Sequence, residues 1–181
     1  MDAEGYKARP VGAGVQLELD IGGLSVGLEV IVYWDVKESN NGAPVIAVYL
    51  YGGISVGVND PFIASIVGII TDNADLLVKE DGSGAVVMTV ASMIGDDFNV
   101  SVSGVFILGN EKFDSTKDYE ESFTSVGTTL GKFKGSIAYS ETCTAISFGV
   151  TVVGSPNLLP SWGVSKTYYQ QLFSYSVPYE R

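Results

Sequence analysis

The sequence predicts an all-β fold, an antiparallel β-sandwich or jelly-roll-like barrel of about eight strands. Three observations predict it. Apolar and polar residues alternate over runs of strand length, Gly- and Asn-rich turns punctuate those runs, and the crossover helices that a parallel sheet needs are missing. With 181 residues, 46% of them hydrophobic, the chain has enough apolar material for one core; a disordered, collagen-like or disulfide-stapled chain is excluded. Residues 1–10 read as a flexible N-terminal arm and 11–181 as a single β-rich domain.

In chain order, Val15, Leu17, Leu19 and Ile21 alternate with Gln16, Glu18 and Asp20. After Gly22-Gly23 the alternation resumes with Leu24, Val26, Leu28, Val30, Val32 and Trp34 on one face. Paired glycines supply the positive φ of a two-residue hairpin turn, which would set Ile21 opposite Leu24 and Leu19 opposite Val26 and keep one face dry. Asn40-Asn41-Gly42 is a second turn. Val45 to Val58 follows as a buried strand, or as two strands broken at Gly52-Gly53. Asn59-Asp60-Pro61 offers a helix start, so one or two short helices are expected around 61–79, against the β-branched content of Phe62 to Ile70. Ala85–Ile94 and Phe98–Leu108 predict a hairpin about Gly95-Asp96-Asp97. Residues 109–132 read as polar and irregular, strands return at Ser136–Val153, a loop spans Pro156 to Pro160, and an aromatic strand runs from Gly163 to Val177.

The composition excludes much chemistry. The chain has no histidine and one cysteine, so neither imidazole-based triads nor the usual zinc sites can be built. Cys143, without a cysteine partner or a neighbouring base, reads as a packed thiol. No catalytic motif, metal site or cofactor is expected, and the chain reads as a non-enzyme. The acids Glu18, Asp20 and Glu29 fall on the polar face of the first hairpin, which by itself implies no cleft. A formal net charge of −11, with no lysine or arginine between Glu38 and Val78 or between Glu80 and Glu111, argues against nucleic acid as a partner.

Two features suit contact surfaces. Trp162, Tyr168, Tyr169, Tyr175 and Tyr179 cluster near the C-terminus, where amphipathic rings serve sugar stacking, lipid headgroups or protein recognition. If Tyr169, Phe173 and Tyr175 share a face, Tyr168 and Leu172 lie on the other. The 84–108 segment carries only Asp96 and Asp97 as charges, at its turn, and each arm has the length of a membrane-crossing strand; Val100, Val102, Phe106 and Leu108 would meet lipid. The leading expectation is an extracellular or cell-surface β-domain, its leader not visible and a cytoplasmic location still open, that binds a glycan, a protein surface or copies of itself. The alternative is a β-pore-forming or membrane-acting protein with an inserting hairpin at 84–108 and lipid as partner; an outer-membrane eight-strand barrel is a variant of it, set behind because the hydrophobicity is even and the sequence ends Tyr179-Glu180-Arg181.

Overall fold

The protein is an eight-stranded antiparallel closed barrel, seen in a computed structural model that describes residues 7–21, 24–57, 98–154 and 157–178. Its strands are β1 (Arg9–Ile21), β2 (Leu24–Tyr33), β3 (Val45–Gly57), β4 (Phe98–Gly109), β5 (Ser122–Gly131), β6 (Phe133–Tyr139), β7 (Cys143–Val153) and β8 (Asn157–Ser176). Around the barrel the order is β1-β2-β3-β8-β5-β6-β7-β4. This is two Greek keys joined edge to edge, 4-1-2-3 and 8-5-6-7. The β1–β2 and β5–β6 turns lie at one end, the hairpin end. The β2–β3, β4–β5 and β6–β7 connections lie at the other, the loop end.

The first hairpin has the expected register, with Ile21 opposite Leu24 and Leu19 opposite Val26. Asn41 turns with φ 51° and Gly42 with φ 80° where the second turn was expected. β3 runs unbroken through Gly52-Gly53, because both glycines hold ladder positions opposite Val26 and Ser25. β1 starts at Arg9, so the ordered domain takes in the end of the expected arm. β5 replaces the irregular reading over Ser122–Gly131, its Ser and Thr residues being strand residues that alternate between the lumen and the outer face, while 110–121 is an irregular connection with one 3-10 turn. β8 begins at Asn157 and absorbs the expected proline loop. The expected helix around 61–79 lies outside the described residues.

One edge of β4 is bonded to β1 and the other to β7; residues 85–94 of the expected hairpin lie outside the described residues.

The dry core sits at the loop end, built from Val11, Ile31, Tyr33, Val45, Ala47, Tyr49, Val105, Ile107 and Phe123 of the strands together with Phe113 and Tyr119 of the β4–β5 connection. Inward glycines make room for the large rings. A Cβ on Gly27 would collide with the Leu17 carbonyl oxygen and the Tyr51 phenol. Gly27→Ala should therefore cost about 1–3 kcal/mol by overpacking, read as a lowered denaturant midpoint at unchanged slope.

Candidate functional site

Strand alternation is the same whichever face turns inward, and here the apolar face turns out. Val15 and Leu17 of β1, Leu28, Val30 and Val32 of β2, Val102 and Phe106 of β4, Val126 and Leu130 of β5, Phe133 and Ile137 of β6, and Ile146, Phe148, Val150 and Val152 of β7 are all exposed. Soluble monomers rarely expose contiguous apolar patches beyond a few hundred Å², and here seven of the eight strands carry exposed apolar side chains on their outer faces, while Val26, Ile54 and Tyr168, also outward, are buried. Lys166 is the only charged side chain on the described outer face between the rims, packed 5.5 Å from the centre of the Tyr168 ring. Trp34, Tyr139 and Tyr175 stand exposed near strand ends at the loop end. The Trp34 indole donates to the Pro10 carbonyl at 2.9 Å.

Polar side chains line the hairpin half of the lumen, and the dry core fills the loop half. Toward the hairpin end, Lys134 of β6 bonds Glu18, Asp20 (3.2 Å) and Ser101 (3.0 Å). Tyr51 donates to the second Glu18 oxygen at 2.8 Å. Hydroxyl pairs bridge neighbouring strands, Ser136 with Ser147 at 2.6 Å and Ser125 with Ser165. This half admits water: the side chains of Glu18, Lys134 and Asp20 are 15%, 24% and 31% exposed.

Deeper in, Glu29 is completely buried. One of its oxygens accepts from Gln16 Nε2 at 2.8 Å and the other from Tyr119 Oη at 2.6 Å. A buried carboxylate must be hydrogen-bonded to be tolerable, and here a carboxamide and a phenol meet that need. Burial first, and the neighbouring Glu29 carboxylate second, push the Tyr119 phenol well above its usual range, so it stays a donor.

Tyr119 belongs to the connection between β4 and β5, which folds into the loop end of the lumen. Its 3-10 turn, Thr116–Tyr119, is closed by a capping box in which Ser115 and Asp118 satisfy each other's backbone donors. Tyr49 Oη donates to the Thr116 carbonyl at 2.6 Å. Glu38 accepts from Ser115 Oγ and from the Thr116 amide, and Arg9 donates to the Asn110 and Phe113 carbonyls. Phe113 packs on Tyr33 with ring centres 5.8 Å apart.

The aromatic cluster expected near the C-terminus divides between these two environments. Tyr169 faces the lumen, 4.8 Å from the Tyr119 ring centre and stacked on Tyr51 at 5.1 Å, so it is not part of an outer contact surface. Phe173 and Tyr175 are exposed on the outer wall. The expected shared face fails because β8 carries a bulge: Tyr49 pairs with Gln171 but Val48 pairs with Phe173, and the extra residue exchanges the two faces. Tyr168 lies outward but buried. Trp162 holds a strand position opposite Thr128; Tyr179, Asp96 and Asp97 lie outside the described residues. Val102 and Phe106 stand exposed on the outer wall, while Cys143 is a buried free thiol.

Fold and site together define a class of molecule: a closed antiparallel barrel with exposed apolar side chains on its outer wall, a lumen polar at the hairpin end and apolar at the loop end, and a loop folded into one mouth. No family model, curated protein or solved structure matches the chain.

Proposed function

We propose that the barrel is a membrane-spanning protein whose outer wall faces lipid. The observation that carries this reading is the direction of the strand alternation: exposed apolar side chains stand on the outer face of seven of the eight strands, β3 excepted, and polar side chains line the hairpin half of the lumen. In water that wall loses about 25 cal/mol for every Å² left exposed, whereas in a bilayer it meets its own kind and the closed sheet leaves no unpaired edge. Six of the eight strands have the length, β6 at seven residues and β8 at twenty being the exceptions. Strands of 10–13 residues such as β1, β2, β3 and β4, at about 3.3 Å per residue and a tilt near 40°, span roughly 25–33 Å, the thickness of a hydrocarbon core. Trp34, Tyr139 and Tyr175 supply the interfacial aromatics such a wall carries at its rim. Arg9, Asp35, Lys37, Lys112, Asp114 and Glu141, which form exposed ion pairs at the loop end, would stand in water beyond it.

The reading supersedes an inserting hairpin with an inserting barrel, in which β4 is one of eight lipid-facing strands. Its test is reconstitution from detergent into phosphatidylcholine vesicles. The protein should float with the vesicles, resist extraction by alkaline carbonate and have its tryptophan emission quenched by acyl-chain-brominated lipid. A chain that stays dispersed in detergent-free buffer, as a monomer or as an oligomer covering the wall with its own copies, and ignores the vesicles would return the function to a surface-binding or self-assembling module.

A further inference from the structure

We propose that the interior tyrosines form a relay for one-electron oxidation, in which Tyr51 takes up the electron hole at the wet end of the lumen and Tyr119 stores it. The relay lies within the lumen and works whatever the outer wall faces.

Five of the chain's ten tyrosines point inward: Tyr33, Tyr49, Tyr51, Tyr119 and Tyr169. Phenylalanine would fill the same space without a hydroxyl that burial obliges to find a partner. Here every one of these hydroxyls has one. Tyr51 donates to Glu18 at 2.8 Å and Tyr119 to Glu29 at 2.6 Å. Tyr49 donates to the Thr116 carbonyl, so in its 2.9 Å bond with Tyr33 it is Tyr33 that donates. Gln16 Nε2 reaches the Tyr169 hydroxyl at 3.4 Å. The rings also stand in series. From the hairpin end inward, Tyr51 stacks on Tyr169 with centres 5.1 Å apart, Tyr169 lies 4.8 Å from Tyr119, and Tyr119 lies 5.0 Å from Tyr49. These spacings are contact between π systems, across which an electron passes in short hops.

Contact alone does not make a tyrosine oxidisable. A phenol that loses an electron becomes strongly acidic, so the electron leaves readily only where a base takes the proton. Tyr51 and Tyr119 have that base. Both Glu29 oxygens accept hydrogen bonds, from Gln16 Nε2 and Tyr119 Oη, the pattern of an ionised carboxylate. Glu18 likewise accepts at both oxygens, from Lys134 and Tyr51.

The oxidant that suits the site is a small radical of the peroxyl class, because the hairpin half admits water as far as Glu18. The radical takes one electron from Tyr51, whose proton passes to Glu18; the resulting peroxyl anion gains a proton from water and leaves as the hydroperoxide. Electrons from Tyr169 and then Tyr119 refill the series, Glu18 returns its proton to Tyr51, and the Tyr119 proton crosses to Glu29. The protein has then lost one electron, Glu29 is protonated, and a phenoxyl radical stands on Tyr119. Tyr119 and Glu29 are completely buried, which keeps that radical from coupling with one on another molecule.

The test exposes the full chain in detergent to peroxyl radicals, made by photolysis of a water-soluble azo initiator in aerated buffer, and reads the frozen sample by electron paramagnetic resonance. Wild type should give a tyrosyl signal that outlasts the illumination. With a ring-fluorinated tyrosine in place of Tyr119, that signal should gain fluorine splitting, which only a radical on residue 119 shows. Tyr169→Phe keeps a ring in place but removes the hop, and should lose most of the lasting signal although Tyr119 and Glu29 are intact. Glu29→Gln, which removes the base, should lose it too. Each variant must first retain its β-sheet circular dichroism. A lasting signal without fluorine splitting would place the radical on outer tyrosines such as Tyr139 or Tyr175 and overturn the store at Tyr119. A signal undiminished in Tyr169→Phe would overturn the relay, and no lasting signal in wild type would overturn both. Should Glu29→Gln fail to fold, Tyr169→Phe and the fluorine label decide.

Discussion

Leu17→Arg should destabilise the barrel in lipid by about 2–4 kcal/mol, the cost of an arginine at the bilayer midplane on the lipid face of a strand. Leu17 lies near the middle of β1, flanked by Leu28 of β2 and Val102 of β4, and more than half of its surface is exposed. Nothing in the barrel stops the arginine from standing out into the surroundings, so the cost reports what those surroundings are. In water, an exposed substitution of this kind stays within about 0.5 kcal/mol of neutral. Denaturant unfolding from vesicles measures the difference. Ser122→Arg, at the exposed first position of β5 by the loop end, should cost no more than about 1 kcal/mol, because the penalty falls toward the interface. Equal costs at both positions would contradict a lipid-facing wall.

Lys134→Met carries the second large effect, about 3 kcal/mol of lost stability. Lys134 is the cation shared by Glu18 and Asp20, two carboxylates on the same side of β1 and mostly withdrawn from water. Removing one partner of such a group leaves uncompensated charge in a poorly solvated space, which costs about 3–5 kcal/mol when burial is complete; the water reaching Asp20 puts this case at the lower end. Adding Glu18→Gln to Lys134→Met removes one stranded charge and should recover much of the loss. A double-mutant cycle checks it: strictly additive effects would mean that Lys134 and Glu18 are not energetically coupled.

Register was legible in the sequence and direction was not. The pairing of Leu19 with Val26 follows from Gly22-Gly23 and the period of two, yet that period is identical for a barrel with a greasy core and for one with a greasy skin. Glu18, Asp20 and Glu29 were recognisable as sharing one face of a hairpin. Only closure of the sheet turns that face into a lumen and brings Lys134 across to it. β5 escaped notice because half its positions are small hydroxyl residues that look like loop. The bulge in β8 escaped because a single unpaired residue leaves no mark on the pattern, although it decides that Tyr169 is interior and Tyr175 exterior. Tyr119 was hidden in the most charged stretch of the chain, Lys117 to Glu121. Its one local signal was the spacing of Ser115 and Asp118, a capping box announcing that this stretch is ordered.

The strand order also fixes a timetable. β8, the last strand to leave the ribosome, lies between β3 and β5, so until Ser176 has been made both of those strands keep an open edge. The first Greek key is complete at Gly109 with β3 and β4 unpaired on its flanks, and an open apolar edge is a template for pairing with other chains. The ring thus closes only once β8 has been made, and a chain lacking β8 would be an adhesive ribbon with no bore.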